Sequence, residues 1–138
     1  MFRDPQINAY VEDVERMVRF YVDHLGFAET FRWPAEGTPD HVEVRLGGLL
    51  LGFASYAAAR RDHGLEVTPG AKGFEVVLWT DDVRGAWERL TAAGAEPVSP
   101  PHLFIGRLLG AWLKDPEGGT VHIVEEVGPG GGVMPEPD

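Results

Sequence analysis

The chain has 138 residues, 43% of them hydrophobic, and no cysteine. That length and apolar content fit a single domain with a real core and exclude global disorder, while the missing thiols exclude disulfides, thiolate metal sites and cysteine nucleophiles. The 12 Lys and Arg against 22 Asp and Glu leave a net charge of −10, which repels phosphate backbones, argues against a nucleic-acid partner and favours a neutral or cationic ligand, solubility being the plainer account of the same charge.

In chain order, Gln6–Val11 is short, rich in β-formers and predicts a strand. Asp13 is an N-cap candidate, and Val14, Met17, Val18, Tyr21, Val22 and Leu25 recur at helical spacing up to a stop at Gly26. Three strands follow, at Phe27–Trp33, Val42–Leu46 and Leu49–Ala54, the last two joined through Gly47-Gly48 as a tight hairpin. Residues 55–72 form a long joint with a short helix across Ala57–Arg61. Phe74–Thr80 is again a strand, Asp82 an N-cap, and Val83, Ala86, Trp87, Leu90 and Ala93 a helical stripe ended by Gly94. Pro97–Ser99, Arg107–Leu113 and Thr120–Glu125 are further strands, with Asp115-Pro116-Glu117-Gly118-Gly119 as a turn. The tail, residues 128–138, is rich in Gly and Pro and is expected to be disordered.

The two walks repeat. Val11-Glu12-Asp13-Val14 stands against Thr80-Asp81-Asp82-Val83, and Gly47-Gly48 against Gly118-Gly119. Such a repeat constrains the fold more firmly than propensity does. The expected class is α+β: two tandem βαβββ modules, residues 4–54 and 73–127 within one domain 1–127, forming a curved mixed-sheet cleft with flanking helices. A four-stranded sheet with one helix covers only one face, so the modules are expected to share a core and enclose a cleft. No apolar run approaches the roughly 20 residues of a membrane span, and Met1-Phe2-Arg3-Asp4-Pro5 lacks the apolar region of a signal peptide. No membrane association and a cytoplasmic location are therefore expected.

Val11-x-Asp13-x(6)-Phe20-Tyr21-x(3)-Leu25-Gly26-Phe27 resembles the opening half-motif of the vicinal oxygen chelate superfamily. Asp81-Asp82-Val83-x(6)-Leu90-x(3)-Gly94-Ala95, with Asp115-Pro116-Glu117-Gly118, is similar to its closing half. The resemblance spans residues 4–127. It implies a cleft that holds one divalent ion in the glyoxalase I and dioxygenase branches, and a non-catalytic ligand in the bleomycin-resistance branch. In metal-using members the first and last strands of both halves supply His or Gln, Glu, His and Glu. The repeat puts Gln6, Glu75 and His122 at three of these positions and Leu51, which cannot ligate, at the fourth. A Gln/Glu/His set resembles a facial triad in number only.

Residues two apart on a strand share a face. Asn8 and Tyr10 therefore go with Gln6, Phe53 with Leu51, and Trp79 with Glu75, while Phe104 and Trp112 are candidates for the same apolar, aromatic cleft. His24, His41, His63 and His102 fall on expected helix ends or loops and read as solvated. These features lead to a small-molecule-binding protein resembling the bleomycin-resistance branch, which holds a planar, cationic or neutral aromatic ligand such as an antibiotic without a cofactor. One alternative is a glyoxalase- or dioxygenase-like enzyme using Zn, Ni, Fe or Mn on Gln6, Glu75 and His122. A second is a metal-free acid–base catalyst using Glu75 and His122. A homodimer is expected, since symmetric dimers are the commonest oligomers and clefts in this superfamily are often completed across a two-fold axis.

Overall fold

The computed structural model describes residues 1, 3–70, 73–105 and 107–128. The chain divides between Gly70 and Ala71 into two compact units, each with its own sheet. The expected tail lies outside the described residues, apart from Gly128.

Half one runs β1 (Ile7–Val11), α1 (Val14–Arg19), β2 (Ala28–Trp33), β3 (His41–Leu46) and β4 (Leu49–Ser55), followed by α2 (Tyr56–His63). Its strands lie in the order β1-β4-β3-β2, with β1 parallel to β4 and the other pairs antiparallel. Half two repeats this as β5 (Glu75–Trp79), α3 (Val83–Ala92), β6 (Glu96–Phe104), β7 (Leu108–Lys114) and β8 (Thr120–Glu126), ordered β5-β8-β7-β6. The fold is α+β with two repeated modules and mixed sheets, as the sequence predicts.

The caps explain where the helices begin. Asp13 Oδ1 accepts from the Arg16 amide at 3.0 Å, and Asp82 Oδ1 from the Gly85 amide at 2.9 Å. Each satisfies a backbone donor that has no partner within the first turn. Ser55 does the same for α2 through the Ala58 amide at 3.0 Å, which extends that helix beyond the expected 57–61. The first helix does not stay α-helical to Leu25: Phe20–His24 form a π turn. Gly26 then leaves the helix at φ 83°, where a side chain would be strained.

In half one the core lies between α1 and one face of the sheet. Val42, Val44, Leu51 and Phe53 are buried with Val14, Met17 and Tyr21, and the Phe53 and Tyr21 rings lie 5.1 Å apart. In half two, Val83 and Leu90 of α3 are buried together with Val76, Ala111, Leu113, Val121 and Ile123. The other face of each sheet, its open face, is turned away from α1 or α3.

β6 is longer than the expected Pro97–Ser99. It takes in Pro100 and Pro101 and continues to Phe104. It is the last strand of its sheet, where a residue lacking an N–H costs no pairing on the free side.

Candidate functional site

The open face of half two carries a stack of rings. Pairing across β5, β8 and β7 puts Val77, His122 and Trp112 in one row. The Trp112 indole and His122 imidazole lie 3.9 Å apart at 9° between planes. His102 stacks against Trp112 at 5.4 Å, and Phe104 leans on both Trp112 and His122 at 5.6 Å. Gly110, opposite His102 on the neighbouring strand, opens the space for this cluster. A Cβ there would lie 2.6 Å from Phe104 Cε1 and 2.8 Å from His122 Nε2.

Glu75 anchors the stack. Its Oε2 accepts from Trp112 Nε1 at 3.1 Å, and its Oε1 lies 3.6 Å from His122 Nδ1. His122 is only 7% exposed. Burial holds its pKa below the ordinary histidine value and outweighs the opposing pull of the Glu75 carboxylate. The imidazole is therefore neutral at pH 7, whereas a carboxylate neighbour alone would have favoured its charged form. His122 Nε2 is buried and has no hydrogen-bond partner among the described residues. A buried polar atom left in that state costs about 1–3 kcal/mol.

The open face of half one carries a polar cluster beside Phe31 and Trp33, which pair across the strands with Glu43 and His41. Gln6 Nε2 donates to Asn8 Oδ1 at 2.9 Å and to Glu43 Oε2 at 3.2 Å, and the same Glu43 oxygen meets His41 Nε2 at 2.9 Å. Burial pushes the Glu43 pKa up, but the bonds from His41 and Gln6 prevail and hold it below the usual carboxylate range. Beside this cluster is a cavity of about 410 Å³, lined by Asn8, Tyr10, Trp33, His41, Asp40 and Asp62 among others. Arg61 ties Asp40 and Asp62 together through bonds of 2.7–2.8 Å.

Leu51 and Phe53 do not face the cleft as the sequence predicts. Leu51 and Phe53, 4% and 2% exposed, lie on the α1 side of the sheet and not on the open face. The residue in the His122 position is Gly52: it pairs with Asn8 and Glu43 as His122 pairs with Val77 and Trp112. Aligning the two Gly-Gly turns shifts this strand by one residue, because Gly47-Gly48 is a two-residue turn whereas Asp115–Gly119 is a five-residue loop. A slip of one residue moves every side chain to the opposite face.

His41 and His102 are not loop residues either. Both sit in strands, in contact with Glu43 and Trp112 respectively, while His24 and His63 lie at helix ends as expected. Of the remaining expected residues, Asn8 and Tyr10 line the half-one cavity and Phe104 and Trp112 belong to the stack. Trp79 lies on β5 with 63% of its surface exposed. His41, expected to be solvated, and Glu43 and Trp33, to which the sequence assigns no role, join this face. The i, i+2 spacing of His41 and Glu43 on a strand is the signal that puts them on one face.

The residues present do not fit the four-donor metal site that the resemblance implies. Gly52 has no side chain to offer, and the Gln6 amide and the Glu75 carboxylate already hold protein partners. Among the described residues no group of three or more His, Cys, Asp or Glu is gathered closely enough to hold an ion. No described helix is long and apolar enough to cross a membrane.

Comparison with known proteins agrees with the geometry. The family described as Glyoxalase/Bleomycin resistance protein/Dioxygenase superfamily matches residues 5–123. TioX from Micromonospora sp. ML1 is 25% identical over 90% of this chain and 99% of its own, with a TM-score of 0.71. A glyoxalase-related enzyme from Fulvimarina pelagi is 23% identical over 96% of this chain and 98% of its own, with a TM-score of 0.74. A lactoylglutathione lyase from Agrobacterium tumefaciens is 20% identical over 88% of this chain and 92% of its own, with a TM-score of 0.66. The last two, at these identities, share the fold and carry no more than that. No protein of curated function matches the chain.

Proposed function

Since this chain belongs to the Glyoxalase/Bleomycin resistance protein/Dioxygenase superfamily, we propose that it is a small-molecule-binding protein that holds a planar aromatic ligand, such as an antibiotic, without a metal ion. The observation that carries this reading is the ring cluster of His102, Phe104, Trp112 and His122 on the open face of half two. Such a surface offers a flat ligand stacking worth about 1 kcal/mol per ring contact beyond the area it buries. The net charge of −10 favours a neutral or cationic ring over an anionic one. The missing donor at Gly52 supports binding without metal.

Titration with a panel of aromatic glycopeptide and quinoxaline-type antibiotics, followed by tryptophan fluorescence, tests the reading. Saturable quenching by at least one member is the expected result. An unquenched protein across the panel that also retains stoichiometric metal would sink it.

A further inference from the structure

The stack contains an atom that the binding role of its rings does not use. His122 Nε2 is buried, unpartnered among the described residues, and directed at the space above Gly110. The ring's other nitrogen faces the Glu75 carboxylate, whose second oxygen is held by the Trp112 indole N–H. A carboxylate beside Nδ1 favours the proton on that nitrogen, because Nδ1–H then points at negative charge. Nε2 is left with its lone pair and can only accept. Gly110 adds no side chain of its own to this space, which Phe104 and Trp112 border: a methyl group there would come within 2.8 Å of Nε2. The cover over this nitrogen is the ring of Phe104, at the end of β6 and part-exposed.

We infer that His122 Nε2 is the hydrogen-bond acceptor for a ring-borne N–H or O–H donor, so that the ligand class is a planar phenol or N–H heteroaromatic. This rests on the stacking role proposed above. The ligand ring takes the space that Phe104 now covers, lies against the Trp112–His122 pair, and directs its donor at Nε2. Glu75 is a positioning residue that holds the imidazole tautomer. Satisfying a buried acceptor discriminates between ligands more sharply than ring area does, because an analogue lacking the donor leaves the nitrogen unpaired.

The test compares 2-naphthol with 2-methoxynaphthalene, two probes with the same rings of which only the first has a donor, by calorimetric titration at pH 7.5. Wild-type protein is expected to prefer 2-naphthol by about tenfold, the size of one well-made hydrogen bond. His122→Phe keeps a ring against Trp112 but removes the acceptor, so it should bind both probes alike. Gly110→Ala closes the approach and should abolish the preference with His122 intact, giving a second arm should His122→Phe fold poorly by its thermal melt. Equal wild-type affinity for the two probes overturns the acceptor role and leaves the stacking role standing, as does a preference that survives His122→Phe. Binding of neither probe overturns the inference, and silence from the antibiotic panel together with stoichiometric metal overturns the stacking role beneath it.

Discussion

The indole of Trp112 and the imidazole of His122 are stacked 3.9 Å apart and 9° from parallel, on adjacent strands of one sheet. One carboxylate reaches both rings: Glu75 accepts from Trp112 Nε1 and faces His122 Nδ1. A planar ligand that joins this pair meets a surface whose rotamers are already restricted, so it gives up little further side-chain entropy on binding.

Trp112→Ala should weaken binding of any quenching antibiotic by about fivefold or more, the equivalent of one ring contact at about 1 kcal/mol. Trp79→Ala, which alters a ring outside the stack, should change affinity less. Fluorescence titration of the two variants side by side checks the ranking, and a larger loss for Trp79→Ala would contradict the placement of the site.

The depressed pKa of His122 predicts how stability depends on pH. Burial disfavours the imidazolium in the folded protein, so the unfolded chain binds this proton more readily. The stability associated with the neutral ring is therefore complete above the unfolded value near 6.5 and falls as pH drops below it toward the folded value. Urea unfolding at pH 5, 6, 7 and 8, with histidine NMR titration alongside, should show both trends. Glu75→Gln removes the charge that opposes the shift and should lower the His122 pKa further.

Phe53→Ala should cost about 3–5 kcal/mol of stability, and Leu51→Ala about 2–5 kcal/mol, because both side chains fill the core beneath α1. Neither should change ligand affinity while the protein remains folded. Chemical denaturation and binding measured on the same samples separate the two effects. A clear loss of affinity at unchanged stability would return these residues to the open face.

Incubation with Zn²⁺, Ni²⁺, Fe²⁺ or Mn²⁺ followed by desalting should leave less than about a tenth of an equivalent bound. Catalytic sites with three protein ligands normally retain their ion, and here the Gly52 position contributes none. Elemental analysis gives the answer, and near-stoichiometric retention of any one ion would require a donor set other than the one described.

Local chemistry was legible in the sequence wherever a short segment decides the outcome. Asp13 and Asp82 sit before apolar stripes at helical spacing, and both cap helices. The repeat around them was enough to give the βαβββ modules, and the family resemblance, carried along the repeat, put Glu75 and His122 on one face. The sequence predicts β6 only over Pro97–Ser99, and Pro100 and Pro101 follow, residues that a central strand rarely holds. Its place at the sheet edge removes that objection, and the edge position is a property of the sheet, invisible in the segment. His102 was lost with it.

The amino-acid order by itself determined the helix starts at Asp13 and Asp82, from caps and spacing within about a dozen residues, and the duplication, from short motifs that recur along the chain. Only the tertiary structure decided the register of the last strand in half one, and with it whether Leu51 or Gly52 faces the open side. The two hairpins turn with loops of different length, so counting from the turn misplaces the strand by one residue. Pairing with β1 and β3 puts it right, since only that register buries Leu51 and Phe53 against α1. The same holds for the stack itself: Trp112 and His122 are ten residues apart in the chain, and become partners only when β7 folds back on β8.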